Sequence, residues 1–171
     1  MTPPRELLFD LETLINAAQP RRILLLGNVS PHFLDDYVSQ KQLINQACDV
    51  THVQADNLDE IWSLHERFDV GLVLNLFEHI DQAKGRQVLS RLRDVLTPQY
   101  CIALPISQQS KDSLWQLTDL FSFALSTVNS YVLADGGLTL FKYNIEDYKK
   151  TPDWLNADNW ANPQLWGKYW W

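Results

Sequence analysis

Two adjacent residues, Glu78 and His79, carry the most evident chemical potential in this chain. Histidine is the side chain whose ordinary pKa lies nearest neutrality, so His79 is a candidate general base, with Glu78 placed to orient it or a substrate. The competing reading is structural. Adjacent side chains seldom work as a dyad without a third group, and the pair also suits a turn into a helix. The segment Gly27-Asn28-Val29-Ser30-Pro31 offers a second possibility. Ser30 and Pro31 have the chemistry of an N-cap and a first helical position, and a helix start presents unpaired N–H groups to an anion. Asp56 is either a carboxylate facing a ligand or a cap for a helix beginning near Leu58. The four histidines, His32, His52, His65 and His79, show no HxxxH or comparable spacing, and no metal site is predicted. GxSxG, Walker and Cys/His signatures are also missing from the sequence.

Each of these candidates stands at the end of an apolar run. Arg22 to Gly27 is short, continuous and apolar, the pattern of a strand buried on both faces. Asp49 to Gln54 reads as a second strand, Phe68 to Leu76 as a third and Tyr100 to Ile106 as a fourth. Helical spacing fills the intervals. Leu7, Leu8, Leu11, Leu14, Ile15 and Ala18 form an apolar stripe that Gln19-Pro20 stops. Phe33, Leu34, Tyr37, Val38 and Ile44 form another, and a short helix is expected around Leu58 to His65. Asp81 can cap a helix whose Val88, Leu89, Leu92, Val95 and Leu96 face inward. A further helix is predicted over Lys111 to Leu125, with Leu114, Leu117, Leu120, Phe121 and Ala124 inward. Two last strands, Val128 to Ala134 and Leu138 to Ile145, flank Asp135-Gly136-Gly137, a strong hairpin signal.

Alternating strands and helices imply an α/β, doubly wound, mostly parallel sheet with helices on both faces. The closing hairpin adds an antiparallel edge. Six strands are expected, in the spatial order second, first, third, fourth, sixth, fifth. In such a sheet, ligands bind at the carboxyl ends of the strands, beside the point where strand order reverses. That rule gathers Gly27 to Ser30, Gln54 to Asn57, Asn75 to His79 and Pro105 to Gln108 around one crevice. The expected organisation is one domain: an N-terminal helix over 1–19, a core over 20–146 and a tail over 147–171. The tail holds Trp154, Trp160, Trp166, Trp170 and Trp171, five of the seven tryptophans. It either caps its own domain or presents aromatic anchors to a partner, a homodimer included.

The composition narrows the partners. At 46% apolar and 20% charged, the 171 residues are those of a globular protein rather than a disordered one. A net charge of -7 counts against nucleic acid, whose phosphates need a basic face. No apolar run nears the ~18 residues of a membrane span, and Met1-Thr2-Pro3-Pro4 does not open a signal peptide. Cys48 and Cys101 form no CxxC and read as reduced thiols, so a cytoplasmic location is expected, with a small molecule or a protein as partner.

The stretch Phe68-Asp69-Val70-Gly71-Leu72-Val73-Leu74-Asn75-Leu76-Phe77-Glu78-His79-Ile80 resembles the fourth-strand motif of class I S-adenosylmethionine-dependent methyltransferases: FD, an apolar strand, a turn and EH. Val88 to Pro98 resembles the family's next helix, Tyr100 to Pro105 its fifth strand and the hairpin its sixth and seventh, so the likeness covers about residues 20 to 146. It implies a Rossmann-like methyltransferase sheet and S-adenosylmethionine as the ligand, with Gly27, Asn28, Ser30, Asp56 and Asn75 as cofactor contacts. Two departures accompany the match. Of the family's GxGxG turn only Gly27 is retained, and Val29 stands where the second glycine belongs. Between Gly27 and Phe68 there is room for one strand where the family has two. If Asp49 to Gln54 is the family's second strand, Asp56 lies near the ribose-binding acid; if it is the third, Ala55-Asp56-Asn57 matches the acidic turn near the adenine. Asn75 lacks the Pro-Pro that follows it in methyltransferases of nucleic-acid amino groups, which counts against that subclass.

Two functions remain open. One is a methyltransferase acting on a small molecule, with Glu78 and His79 at the reacting centre. The other, favoured by the glycine-poor loop, the shortened sheet and the aromatic tail, is a methyltransferase-like binding or scaffold module with weak or no hold on the cofactor.

Overall fold

A computed structural model describes residues 3–106, 115–133, 136–148, 157–159, 162–165 and 168. Helix α1 (Arg5–Ala18) turns Leu7, Leu11 and Ile15 inward and ends where Gln19 takes a left-handed conformation ahead of Pro20. Strand β1 (Arg22–Leu26) is followed by a single 3-10 turn, Pro31–Leu34, and helix α2 (Asp35–Leu43). Next come β2 (Asp49–Val53), a 3-10 segment over Ala55–Trp62, and β3 (Val70–Leu74). Helix α3 (Gln82–Arg91) starts at Asp81, whose carboxylate accepts from Lys84 N at 2.7 Å, and ends in a π turn over Leu92–Leu96. The remaining elements are β4 (Gln99–Pro105), α4 (Leu117–Ser122), β5 (Ser126–Leu133), β6 (Gly136–Asn144) and the single turn α5 (Ile145–Tyr148).

The strands form one sheet in the order β2-β1-β3-β4-β6-β5, as the sequence predicts. The first four run parallel, in a register that sets Leu24 beside Thr51 and Gly71, and Leu72 beside Cys101. Strand β6 runs antiparallel to both β4 and β5. Alternation along the strands divides the core in two. Leu24, Leu26, Val73, Ile102 and Leu104 meet Val88, Leu89, Leu92 and Leu96 on one face. Ile23, Leu25, Leu72 and Leu74 meet Leu7, Leu11 and Ile15 of α1 and Tyr37 of α2 on the other.

Several side chains depart from the predicted stripes. Val95 is exposed, because the π turn inserts a residue into the helical repeat and rotates it outward. Ile44 is exposed because α2 stops at Leu43 and Asn45 turns the chain at φ 55°. Lys41 is buried instead, its Nζ donating to Gln19 Oε1 at 2.7 Å and Gln46 Oε1 at 3.0 Å. The helix predicted over Lys111 to Leu125 is described only from residue 115, where α4 is short and Ala124 ends it at φ 59°. Phe121 therefore points to solvent, while Trp115, Phe123 and Leu125 fill the core; Leu114 lies outside the described residues. Most of the tail, including its five tryptophans, also lies outside them.

Candidate functional site

The carboxyl ends of β1, β2 and β3 bring Gly27, Asn28, Ala55 and Asn75 together, and these residues bond chiefly to one another. Gly27 N donates to Val53 O at 2.9 Å and Asn28 N to Asn75 O at 3.1 Å. The Asn28 side chain accepts from Ala55 N at 3.1 Å, and Asn75 Nδ2 donates to Asn28 O at 2.9 Å. From β2, His52 Nε2–H donates to Gly27 O at 2.9 Å. Both amides at the start of the loop, and the carbonyls beside them, are thus paired within the protein.

The two backbone specialities here have packing explanations. Gly27 adopts φ 113°, and a Cβ on it would lie 2.0 Å from Leu74 O. Only glycine lets β1 leave the sheet so close to the end of β3. Asn75 ends β3 at φ 51°, a left-handed conformation asparagine tolerates better than most residues. Val29 avoids positive φ and is buried among α1 and α2 residues.

Ser30 caps the following turn, its hydroxyl accepting from His32 N at 3.5 Å, with Pro31 at the first helical position. The first turn of α2 beyond it carries Asp35 and Asp36. Both carboxylates oppose a negatively charged ligand at that end of the helix. Asp56 is exposed in the first turn of the 3-10 segment, whose N-cap is Gln54; among the described residues its carboxylate makes no hydrogen bond.

Glu78 and His79 lie in a turn closed by His79 N donating to Leu76 O at 3.0 Å. No side-chain hydrogen bond joins the two among the described residues. Glu78 borders a cavity of about 20 Å³, lined also by Pro3, Leu7, Leu74, Asn75 and Ala103. That is room for about one water. Although the side chain reaches solvent, the protein around it desolvates the carboxyl and pushes its pKa up; its own backbone N–H and nearby His79 pull the other way. Beside this turn, Phe77 is buried edge-on against Trp115, with ring centroids 5.2 Å apart. Both rings pack on Gly85 of α3, where a Cβ would meet Trp115 Cζ2 at 2.5 Å. Sequence reasoning missed this packing and the His52 bond; a glycine inside a helical pattern was the available signal for the first. Of the fourth loop, residues 107–114 lie outside the described residues.

A mostly parallel sheet in this order, with loops converging on the carboxyl ends of β1 to β3, is the fold of class I S-adenosylmethionine-dependent methyltransferases. The chain is similar to the methyltransferase domain of bacterial CtHen1, at 9% identity over 82% of this chain and 98% of that one, with a TM-score of 0.50. It is likewise similar to magnesium protoporphyrin IX methyltransferase from Synechocystis PCC 6803 with bound SAH, at 7% identity over 80% of this chain and 81% of that one, with a TM-score of 0.50. At these identities the likeness is one of fold. The sequence matches none of the curated proteins. The chain belongs to a family of unknown function, DUF6231, whose model matches residues 5–171.

Proposed function

We propose that this chain is a methyltransferase-like binding or scaffold module that holds S-adenosylmethionine weakly or not at all. The observation that carries this reading is the loop bonded to its neighbours: the amides of Gly27 and Asn28 donate to Val53 O and Asn75 O, and Asn28 is also tied to Ala55 and Asn75 through its side chain and carbonyl. A cofactor that relied on those groups would have to break bonds between protein atoms first. The residues fit the cofactor poorly in two other ways. Val29 puts a buried side chain where a bare backbone is wanted, and the acidic first turn of α2 repels a carboxylate. No chemical step is assigned to the cofactor here.

In this reading Glu78 and His79 shape the turn after β3, and binding falls to other surfaces. The Trp-rich segment 147–171 is one, either capping its own domain or meeting a protein partner. Nucleic acid is an unsuitable partner for a chain of net charge -7, and no described helix is long and apolar enough to cross a membrane.

Calorimetric titration with S-adenosylmethionine and S-adenosylhomocysteine tests the reading, and no binding is expected at micromolar concentrations. A thermal shift at micromolar cofactor that Asp56→Ala abolishes would overturn it. That outcome would favour the second reading, a methyltransferase acting on a small molecule. One observation supports the alternative: the exposed Asp56 carboxylate, with no partner among the described residues, is available to a nucleoside.

A further inference from the structure

We propose that the outer edge of β5 is the surface through which two copies of this chain pair, antiparallel and edge to edge, across a two-fold axis. Among the described residues β5 pairs with no strand but β6, so its other side has no strand partner there, and the one side-chain bond to its backbone N–H groups is the local one from Ser130 N to Asn129 Oδ1 at 2.9 Å. Sheets usually protect such an edge with lysine, proline, shortness or cover. Strand β5 is eight residues long and contains neither lysine nor proline. Residues 120–134 include no charged side chain at all, in a chain that is 20% charged. Val132 is 96% exposed and Val128 36% exposed on this same strand.

Local geometry sets the segment concerned. A register shift between Thr127 and Asn129 breaks the ladder near Val128, leaving Asn129 to Leu133 as the regular stretch. At the usual rise this spans roughly 17 Å. The stretch is held in shape from one face, where Asn129 Nδ2 and the Tyr131 hydroxyl both donate to Asp10 Oδ2 of α1. A strand already fixed in its extended form loses little further entropy on pairing.

Charge points to a second copy as the occupant. Each copy carries a net charge of -7, so most approaches between two of them are repulsive. Strand β5 itself brings no charged side chain to such a contact, the Asp10 carboxylate beside it being engaged on one face by Asn129 and Tyr131. A two-fold contact consumes both edges and closes. The opposite edge of the sheet does not offer this. Strand β2 is five residues long, begins at the exposed Asp49, and has its His52 engaged with Gly27.

Light scattering coupled to size-exclusion chromatography of the full chain, over a range of concentrations, tests the proposal. A monomer–dimer equilibrium is expected. Val132→Lys should raise its dissociation constant at least about tenfold by placing a cation on the strand in each copy. The thermal midpoint of the monomer should stay the same, because Val132 is solvent-exposed. Val132→Thr, uncharged and β-branched, should retain the dimer. Amide exchange across Asn129 to Leu133 should slow as concentration rises. Three results would overturn the proposal: a monomer at every concentration, exchange at β5 indifferent to concentration, or a dimer untouched by Val132→Lys. The last would place the contact elsewhere, on the tail if truncation after Lys150 abolishes it.

Discussion

The loops after β1 and β3 and the outer edge of β5 treat their polar backbone in opposite ways. At the first, Gly27, Asn28, Ala55 and Asn75 pair with neighbouring protein groups across three strands. At the second, one side of a strand has no strand partner among the described residues. In this fold the carboxyl ends of the parallel strands ordinarily open toward a ligand, while sheet edges are ordinarily protected. Here the loop groups at the carboxyl ends bond to neighbouring protein groups, and the β5 edge has no strand partner among the described residues. The sheet order itself depends on the hydrophobic faces rather than on the loops, so the same topology is compatible with either arrangement of the loop groups.

Matched glycines give the largest contrast. Gly27 and Gly136 both have positive φ, 113° and 134°. A Cβ at Gly27 would collide with Leu74 O, whereas one at Gly136 would have nothing within 4 Å. Gly27→Ala should therefore cost about 3 kcal/mol or more, since backbone must move as well as strain. Gly136→Ala should cost only about 1–2 kcal/mol, from backbone strain alone. Urea denaturation measures both. Equal losses would mean that the junction of β1 with β3 is no tighter than the hairpin.

A smaller contrast comes from two asparagines. Asn28→Ala removes the acceptor of Ala55 N in a half-buried place and should cost about 1–2 kcal/mol. Asn129→Ala removes bonds to Asp10 and Ser130 that water can replace, and should cost at most about 0.5 kcal/mol. If the two losses were alike, the closed crevice would be no more than a surface network. A loss at Asn28 with no gain in cofactor affinity would show that breaking one tie does not reopen the site.

What the sequence disclosed follows the same division. Strand order was legible because it rests on patterns within single segments: continuous apolar runs for β1 and β3, an Asp-Gly signal for the hairpin, and one strand's worth of residues between Gly27 and Phe68. The cap formed by Ser30 and Pro31 was legible for the same reason. Bonds between Asn28, Ala55 and Asn75 were not, because they join residues 27 and 47 positions apart that only the folded sheet brings together. Gly27 was legible as the retained glycine of the loop, but its tight packing against Leu74 O was not. Val95 and Phe121 were misplaced where helices depart from the ideal repeat, one at a π turn and the other on a helix of six residues.

The smallest contrast is between two carboxylates, and their pH dependences run in opposite directions. Asp10 is held below the usual range chiefly by the hydroxyl of Tyr131 and then by the Asn129 side chain, both donating to it. Its stabilisation is present above the ordinary Asp range of about 3.9 and is lost as pH falls through its lowered pKa. Asp10→Asn should therefore be less stable than the parent at neutral pH, by under about 1 kcal/mol, with the gap closing in acid. Glu78 is held above the usual range, first of all by desolvation. Its protonated form suits the fold, so its favourable contribution is complete below the ordinary Glu range of about 4.3 and disappears as pH rises through the raised pKa. Glu78→Gln should match the parent in acid and exceed its stability at neutral pH, by no more than about 0.5 kcal/mol, since solvent reaches the side chain and screens the effect. Thermal midpoints from pH 3 to 8 for the parent and both variants read out the two signs. A Glu78→Gln variant less stable than the parent at neutral pH would mean that the ionised carboxylate stabilises the turn where it stands, the opposite of what the raised pKa implies.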